Sequence, residues 1–415
     1  MLFLLYNPVS IPNAEVARVK HQIRSSLGGP LFLSAMAVQF LISTSTFMLF
    51  TALPLYFQTQ GSPKTVAGLS TTLFAIAALL ARPLGGVLFD RYDRTLVFHL
   101  GVGTLIGATS LMALPAGIPY LLTCRLLQGV GFSLFTTGMG VLLPDFVPQG
   151  RVLQAIAIQG LVASLGPALG GPLAVQLLPA GFELVVVTST LIGIAGMGLA
   201  VPTFPRAPSS RDGEGSASSQ DLPHRLWSRL FHKEALAPSA FALLLGLSYG
   251  AALTFIPGYA LTRGIPNGGL FFTSFTLAVV LTRLFFGKVQ GDLSLLMSGS
   301  FIVSGISFLL LIPLSGYLHL LVSGLLYGAG YGVAFPILNT GALMSAAHHR
   351  RGAAASTFFT AMDAGVAVGS LLAGGIAQAL GFPAVFLTLG IGLLLGGGVI
   401  LLPEVRRAGF LHTRE

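Results

Sequence analysis

Leu79-Leu-Ala-Arg-Pro-Leu-Gly-Gly86 ends one long apolar run, and Val280-Leu-Thr-Arg-Leu-Phe-Phe-Gly287 ends another 201 residues later. Each carries an arginine, Arg82 or Arg283, four residues before its last glycine. Three further pairs follow the same order. T-A-L-P-L-Y at 51–56 answers T-F-I-P-G-Y at 254–259, Gly61-Ser-Pro63 answers Gly264-Ile-Pro266, and L-L-Q-G-V-G-F at 126–132 answers L-L-Y-G-A-G-Y at 325–331. Four ordered matches at nearly constant offset mark a duplicated unit, and a repeated helical unit is a transporter architecture with its solute site between the halves.

The composition names the solvent. Only 8% of the 415 residues are charged, 53% are hydrophobic and the mean hydropathy is +0.84, against about 25% charged in soluble domains. A spanning helix needs about 20 mostly apolar residues. Twelve such runs can be counted, from 31–57 to 382–403. They read as helices, because an open strand cannot pair its backbone in hydrocarbon. The expected fold is therefore an all-α polytopic membrane protein, with twelve transmembrane helices in two pseudo-symmetric six-helix bundles. The expected segments are an N-terminal arm at 1–29, bundles at 30–203 and 237–404, a Pro/Ser/Gly-rich linker at 204–236 and a tail at 405–415. A short surface helix is expected at Leu226–Lys233.

Charge sets the orientation. Three arginines, Arg82, Arg125 and Arg283, lie within apolar runs. Of the other Lys and Arg residues, 17 fall on the side of the arm, linker and tail, and only Lys64 and Arg263 on the opposite side. Cytoplasmic loops are the Lys/Arg-rich ones, so arm, linker and tail are expected in the cytoplasm, on a multi-pass protein of the inner membrane. The net charge of +9 is spread singly between apolar runs, which is not a nucleic-acid-binding face. A lone cysteine, Cys124, excludes an internal disulfide. No nucleotide loop or metal-ligand spacing is present, so no cofactor or metal is expected. No nucleophile–base set points to an enzyme.

Between the second and third runs the chain reads Gly86-Val-Leu88-Phe-Asp90-Arg91-Tyr-Asp93-Arg94-Thr95. On charge alone, Arg91 and Arg94 either hold the loop inside or pair with a carboxylate that latches two bundles. The segment resembles the major facilitator superfamily signature G-x-L-x-D-R-x-G-R-R, departing at Asp93 and Thr95. Arg125-Leu-Leu-Gln128-Gly129-Val-Gly131 resembles that family's R-x-x-Q-G-x-G. Gly166-Pro167-Ala-Leu-Gly170-Gly171 resembles the G-P-x-x-G-G of its proton-coupled exporters, with Val162 where a further Gly is usual. The resemblance covers about residues 30–404. It implies a monomeric secondary transporter, with Gly86, Asp90, Arg91, Arg94 and Asp145 at a cytoplasmic gate. The counterpart at Gly287–Asp292 is eroded, leaving Asp292 to pair with Arg350 or Arg351.

Ionisable groups inside a membrane are costly and mark function by default. Asp363 is the one acid deep within a run. Counted from the linker side, it and Arg82 lie at nearly equal depth, roughly 15 and 12 Å at 1.5 Å per residue. In the implied fold the second and eleventh helices face each other, so an Arg82–Asp363 pair is expected. It is a fixed tie between the halves, a proton switch, or, if Asp363 meets the solute, part of the binding site. Helices one, four and ten would line the cavity, presenting Gln39 and Ser43, then Arg125, Gln128 and Phe132, then Tyr327 and Tyr331. Arg283 mirrors Arg82, with Gln159 and Ser164 as expected neighbours in a structural role. The function expected is alternating-access efflux of small organic solutes across the bilayer, driven by protons. Organic-anion uptake or exchange, or a non-transporting sensor, are the alternatives.

Overall fold

Breaks between helices fall where glycine and proline demand them. Gly61 and Gly264, in the two equivalent loops, both hold φ at +73°, a left-handed conformation open to glycine at no steric penalty. Asp93 and Asp292 cap the next helix of each half, accepting from Leu96 N at 2.7 Å and Ser294 N at 2.8 Å. A carboxylate there satisfies an amide that the helix leaves unpaired.

A computed structural model of the protein describes residues 29–115, 117–148, 151–205, 233–286, 292–346 and 351–402. The described residues form twelve α-helices. In the first half these are α1 (Pro30–Thr59), α2 (Lys64–Arg91), α3 (Arg94–Leu111), α4 (Ile118–Leu142), α5 (Val152–Leu177) and α6 (Phe182–Thr203). In the second they are α7 (Leu236–Thr262), α8 (Leu270–Phe286), α9 (Leu293–Leu311), α10 (Tyr317–Met344), α11 (Arg351–Leu380) and α12 (Phe382–Ile400). Ten are long and apolar enough to cross a membrane. Arg94 and His99 dilute α3, and only 17 residues of α8 are described. Of the expected surface helix only Lys233 is described, in a 3₁₀ turn with Glu234 and Ala235.

The same neighbours recur in both halves. α1 packs on α5 as α7 packs on α11, α2 on α4 as α8 on α10, and α3 on α4 as α9 on α10. Lipid is as apolar as leucine, so association rests on close backbone approach and dispersion. Small residues supply it. A Cβ on Gly166 or Gly170 would meet Ser43 Cβ at 2.6 Å or Thr44 O at 2.7 Å on α1. Gly365 and Gly369 of α11 lie as tightly against Leu243 and Leu247 of α7.

The halves meet along α2–α11 and α5–α8, two seams related by the repeat. At the end away from the linker, Lys64 N and Nζ bond to Gln378 Oε1 at 2.8 Å and Ala377 O at 3.0 Å. Thr72 Oγ1 donates to Ala367 O at 2.9 Å and also reaches Gly68 O of its own helix at 3.0 Å. Across the other seam Thr273 donates to Ala168 O at 2.7 Å and Thr276 to Ser164 O at 2.8 Å. Thr254 of α7 reaches Thr71 of α2 at 2.9 Å. Nearer the linker end than these ties, the halves are joined by Arg82 and Asp363.

Candidate functional site

Arg82 sits on α2 just before Pro83, and Asp363 on α11 opposite it. Arg82 Nε donates to Asp363 Oδ2 at 2.5 Å. Each side chain keeps 20% of its surface exposed, so the pair is reached by solvent-sized space although it lies mid-helix. The Arg82 guanidinium also stands 5.7 Å from the centre of the Phe359 ring. Such a pair is favourable while both groups are charged, and loses its attraction when the carboxyl takes a proton.

Aromatic rings continue from this pair. In the second half Tyr331 packs on Phe335 at 5.6 Å, on Phe275 at 5.4 Å and on Tyr249 at 5.4 Å, and Phe335 leads on to Phe358 and Phe359. In the first half Phe132 packs on Phe74 at 5.4 Å, which packs on Phe50 and so on to Phe47. Phe47, Phe132, Tyr249, Tyr331, Phe335 and Phe359 are half-buried. Tyr331 lies within electrostatic reach of both Asp363 and Arg283. Charge and aromatic surface thus meet where the two halves face each other.

Other expected wall residues are turned elsewhere in this conformation. Arg125 and Gln128 are fully buried inside the first bundle. Arg125 donates to Gln128 Oε1 at 2.9 Å and Ser70 O at 3.3 Å, and its guanidinium lies 4.5 and 4.8 Å from the Phe50 and Phe74 rings. Gln128 donates to Thr109 Oγ1 of α3 at 2.7 Å. The amphipathic face therefore points into its own bundle, where a carbonyl and two rings compensate the charge. Gln39 donates to Ser43 at 2.8 Å, both buried against α5, and accepts from Gln159 at 3.3 Å. Tyr327 is fully buried and shares a hydrogen bond with Ser248 at 2.9 Å. Of the seven expected wall residues, Phe132 and Tyr331 are the half-buried ones.

At the linker end, the side chains of Asp90 and Asp145 lie outside the described residues, and with them the pairing of Asp145 with Arg94 that the gate resemblance suggests; Arg91 is exposed and Arg94 half-buried. Gly86 makes no close helix contact, since a Cβ there would meet nothing within 4 Å. The expected Asp292 pairing falls on Arg350, outside the described residues, or on Arg351, whose side chain is not described; what is seen is the helix cap. The departure at Asp93 has the same cause, a cap for α3. The Gly-Pro motif divides its work. Gly166 and Gly170 receive α1, Pro167 is buried beside them, and Gly171 faces Phe272 of α8 and Gly269 just before it.

Sequence reasoning missed Ser248 and Tyr249, the inter-half ties of Lys64, and the Gly365/Gly369 pair. The last was findable, lying 199 residues after Gly166 and Gly170.

With this geometry in view, likeness to known proteins carries weight. A family model described as Major Facilitator Superfamily matches residues 35–290 and 267–410. An uncharacterized MFS-type transporter of Burkholderia mallei (strain SAVP1) is 29% identical over 355 residues, covering 81% of this chain and 82% of that protein. The staphylopine export protein of Staphylococcus aureus (strain Mu50 / ATCC 700699) is 24% identical over 364 residues, covering 82% and 87%. Among solved structures, a POT family transporter in complex with 5-aminolevulinic acid superposes with a TM-score of 0.78 at 14% identity, over 93% of this chain and 99% of that one. A mutant nucleoside transporter gives 0.73 at 14% identity, over 90% and 100%. At such identities these structures speak for the fold alone.

Proposed function

The chain belongs to the major facilitator superfamily of transporters, and from that premise we propose that it exports small organic compounds in exchange for protons, with Asp363 as the proton site. It is a multi-pass membrane protein and not an enzyme. The proposed site is the aromatic and charged space between the halves, and the proposed setting is the inner membrane with both termini in the cytoplasm, as the Lys/Arg asymmetry argues.

One observation carries the reading. The Arg82–Asp363 pair joins the halves nearer the linker end than the seam ties above, and both side chains are partly exposed. The far ends are tied together while Gly86 has open space, which supports an inward-facing conformation. Protonation of Asp363 removes the attraction and weakens that conformation relative to the outward-facing one. A ligand that binds one state better shifts the populations, and here the ligand is the proton. Export finds support in the Gly-Pro motif and in a relative whose name says export. With no ATP site in the sequence, an ion gradient is the fitting source of energy.

The test is transport in proteoliposomes with an imposed pH gradient, comparing wild type with Asp363→Asn. The wild type should move solute faster as the gradient steepens. The variant should lose that dependence while still exchanging solute at equal pH. A variant with the full pH dependence removes Asp363 from the role.

A further inference from the structure

Arg283 is the counterpart of Arg82, but its environment is not. The position on α5 that corresponds to Asp363, 199 residues earlier, is Ser164. Ser164 gives its hydroxyl to Leu161 O at 2.6 Å, and Gln159 gives its amide to Gln39. Neither expected neighbour bonds to Arg283. Its Nε is buried and has no hydrogen-bond partner among the described residues.

The guanidinium nonetheless faces the seam. Thr276 and Arg283 are seven residues apart on α8, nearly two turns and so on one face. Thr276 touches α5 directly, through Ser164 O. A methyl group placed on Gly160, one turn further along α5, would stand 3.5 Å from Arg283 Nη1. Arg283 therefore continues the stripe of α8 that faces α5, beyond the last described hydrogen bond of that seam. Tyr331 lies within electrostatic reach of it, with Tyr249 and Phe275 packed on Tyr331.

Three arginines lie in the apolar runs, and two are compensated. Arg82 has Asp363, and Arg125, although its Nη2 is also buried without a hydrogen-bond partner among the described residues, has a carbonyl, an amide oxygen and two rings. An arginine cannot shed its charge, and an unpaired cation at membrane depth is expensive unless something arrives to neutralise it. Resting on the transporter reading above, we infer that Arg283 binds the negative charge of the transported solute. The solute is then an organic anion, a carboxylate on an aromatic or otherwise apolar body. The guanidinium fork suits a carboxylate bidentately, and the half-buried rings of Tyr331 and Tyr249 supply the surface for the rest.

Binding to purified protein in nanodiscs tests this without gradient or turnover. The probes are indole-3-acetate, benzoate and glutarate, the neutral indole-3-acetamide and benzamide, and tryptamine, at constant ionic strength, read by thermal shift and titration calorimetry. At least one aromatic carboxylate should bind, and bind at least tenfold more tightly than its own amide. Arg283→Gln should abolish that preference, and Arg283→Lys should keep part of it. Without ligand, Arg283→Gln should melt no lower than wild type, because an unpaired charge has been removed; a structural arginine would give a lower melting temperature. The inference falls if no carboxylate outbinds its amide, if Arg283→Gln leaves the preference intact, or if the unliganded variant is destabilised. Asp363→Asn should still bind the anion. Failure of the proton reading would thus leave this result standing, and anion-blind binding would leave pH-driven transport standing.

Discussion

Replacing Asp363 by Asn should open the far side of the molecule. The substitution leaves Arg82 without its counter-charge. Breaking a fully buried pair by removing one partner costs about 3–5 kcal/mol. Both side chains keep 20% of their surface, so water relieves part of this, and about 2 kcal/mol is a fair expectation for a partly screened pair. That energy is lost by the conformation in which the pair forms. The equilibrium should therefore move toward far-side opening by about thirtyfold, at 1.4 kcal/mol per factor of ten. Thr72 is a suitable reporter, being buried in the α2–α11 seam on the far side of the pair. In a Cys124→Ser background, Thr72→Cys should react slowly with a membrane-impermeant maleimide added to the far face. Adding Asp363→Asn should raise the rate between tenfold and a hundredfold. Adding Arg82→Gln as well should bring it most of the way back, since two neutral amides can bond to each other, and the cycle isolates the pair energy. A labelling rate within twofold of the parent in Asp363→Asn, or no recovery in the double variant, would refute the reasoning.

Three further outcomes are expected. Arg125→Leu should lower the melting temperature, with a loss of about 2–4 kcal/mol from unsatisfied partners of a buried charge, and Arg125→Lys should not restore it, because an ammonium cannot lie flat between Phe50 and Phe74. Gly170→Ala should cut the yield of folded protein in size-exclusion chromatography, since its methyl would sit 2.7 Å from Thr44 O, whereas Gly86→Ala, with nothing within 4 Å, should leave the melting temperature unchanged or higher. Asp93→Ala should cost about 1 kcal/mol through the lost cap of α3, and Asp93→Asn should recover it.

Much of this was legible in the chain itself. Apolar run length gave the helices, and the offsets between matching segments gave the two-fold arrangement. Equal depth along α2 and α11, joined to the facing of those helices that the family resemblance implies, was enough to bring Arg82 and Asp363 together. Depth is read by counting, and counting survives folding. Direction around the axis is not read so simply. The polar stripe of Arg125 and Gln128 had to face protein, but a helix in a bundle has two inward directions. One leads to the neighbouring helices of its own half, the other to the opposite half. Arg125 takes the first, because its partners there are the Ser70 carbonyl and two aromatic faces, none of which a search for charged mates detects. Tyr327 was misplaced for the same reason, its hydroxyl meeting a serine one helix away. The bare surroundings of Arg283 were equally hidden. Its symmetry mate has an acid, and only the structure shows that Ser164 and Gln159 are already engaged.

The hydroxyls along the seams deserve a last consequence. Thr72 touches both Ala367 O across the gap and Gly68 O on its own helix, and Thr254 likewise bonds to both Thr71 and Gly250 O. Each therefore keeps a private acceptor to fall back on when its distant one departs. Among the described residues, Thr273 and Thr276 of the other seam have only their acceptors across it, whereas parting the contacts of Thr72 and Thr254 strands neither hydroxyl. A seam of this kind is a reusable fastening, and its strength can be tuned one methyl or hydroxyl at a time without touching the solute.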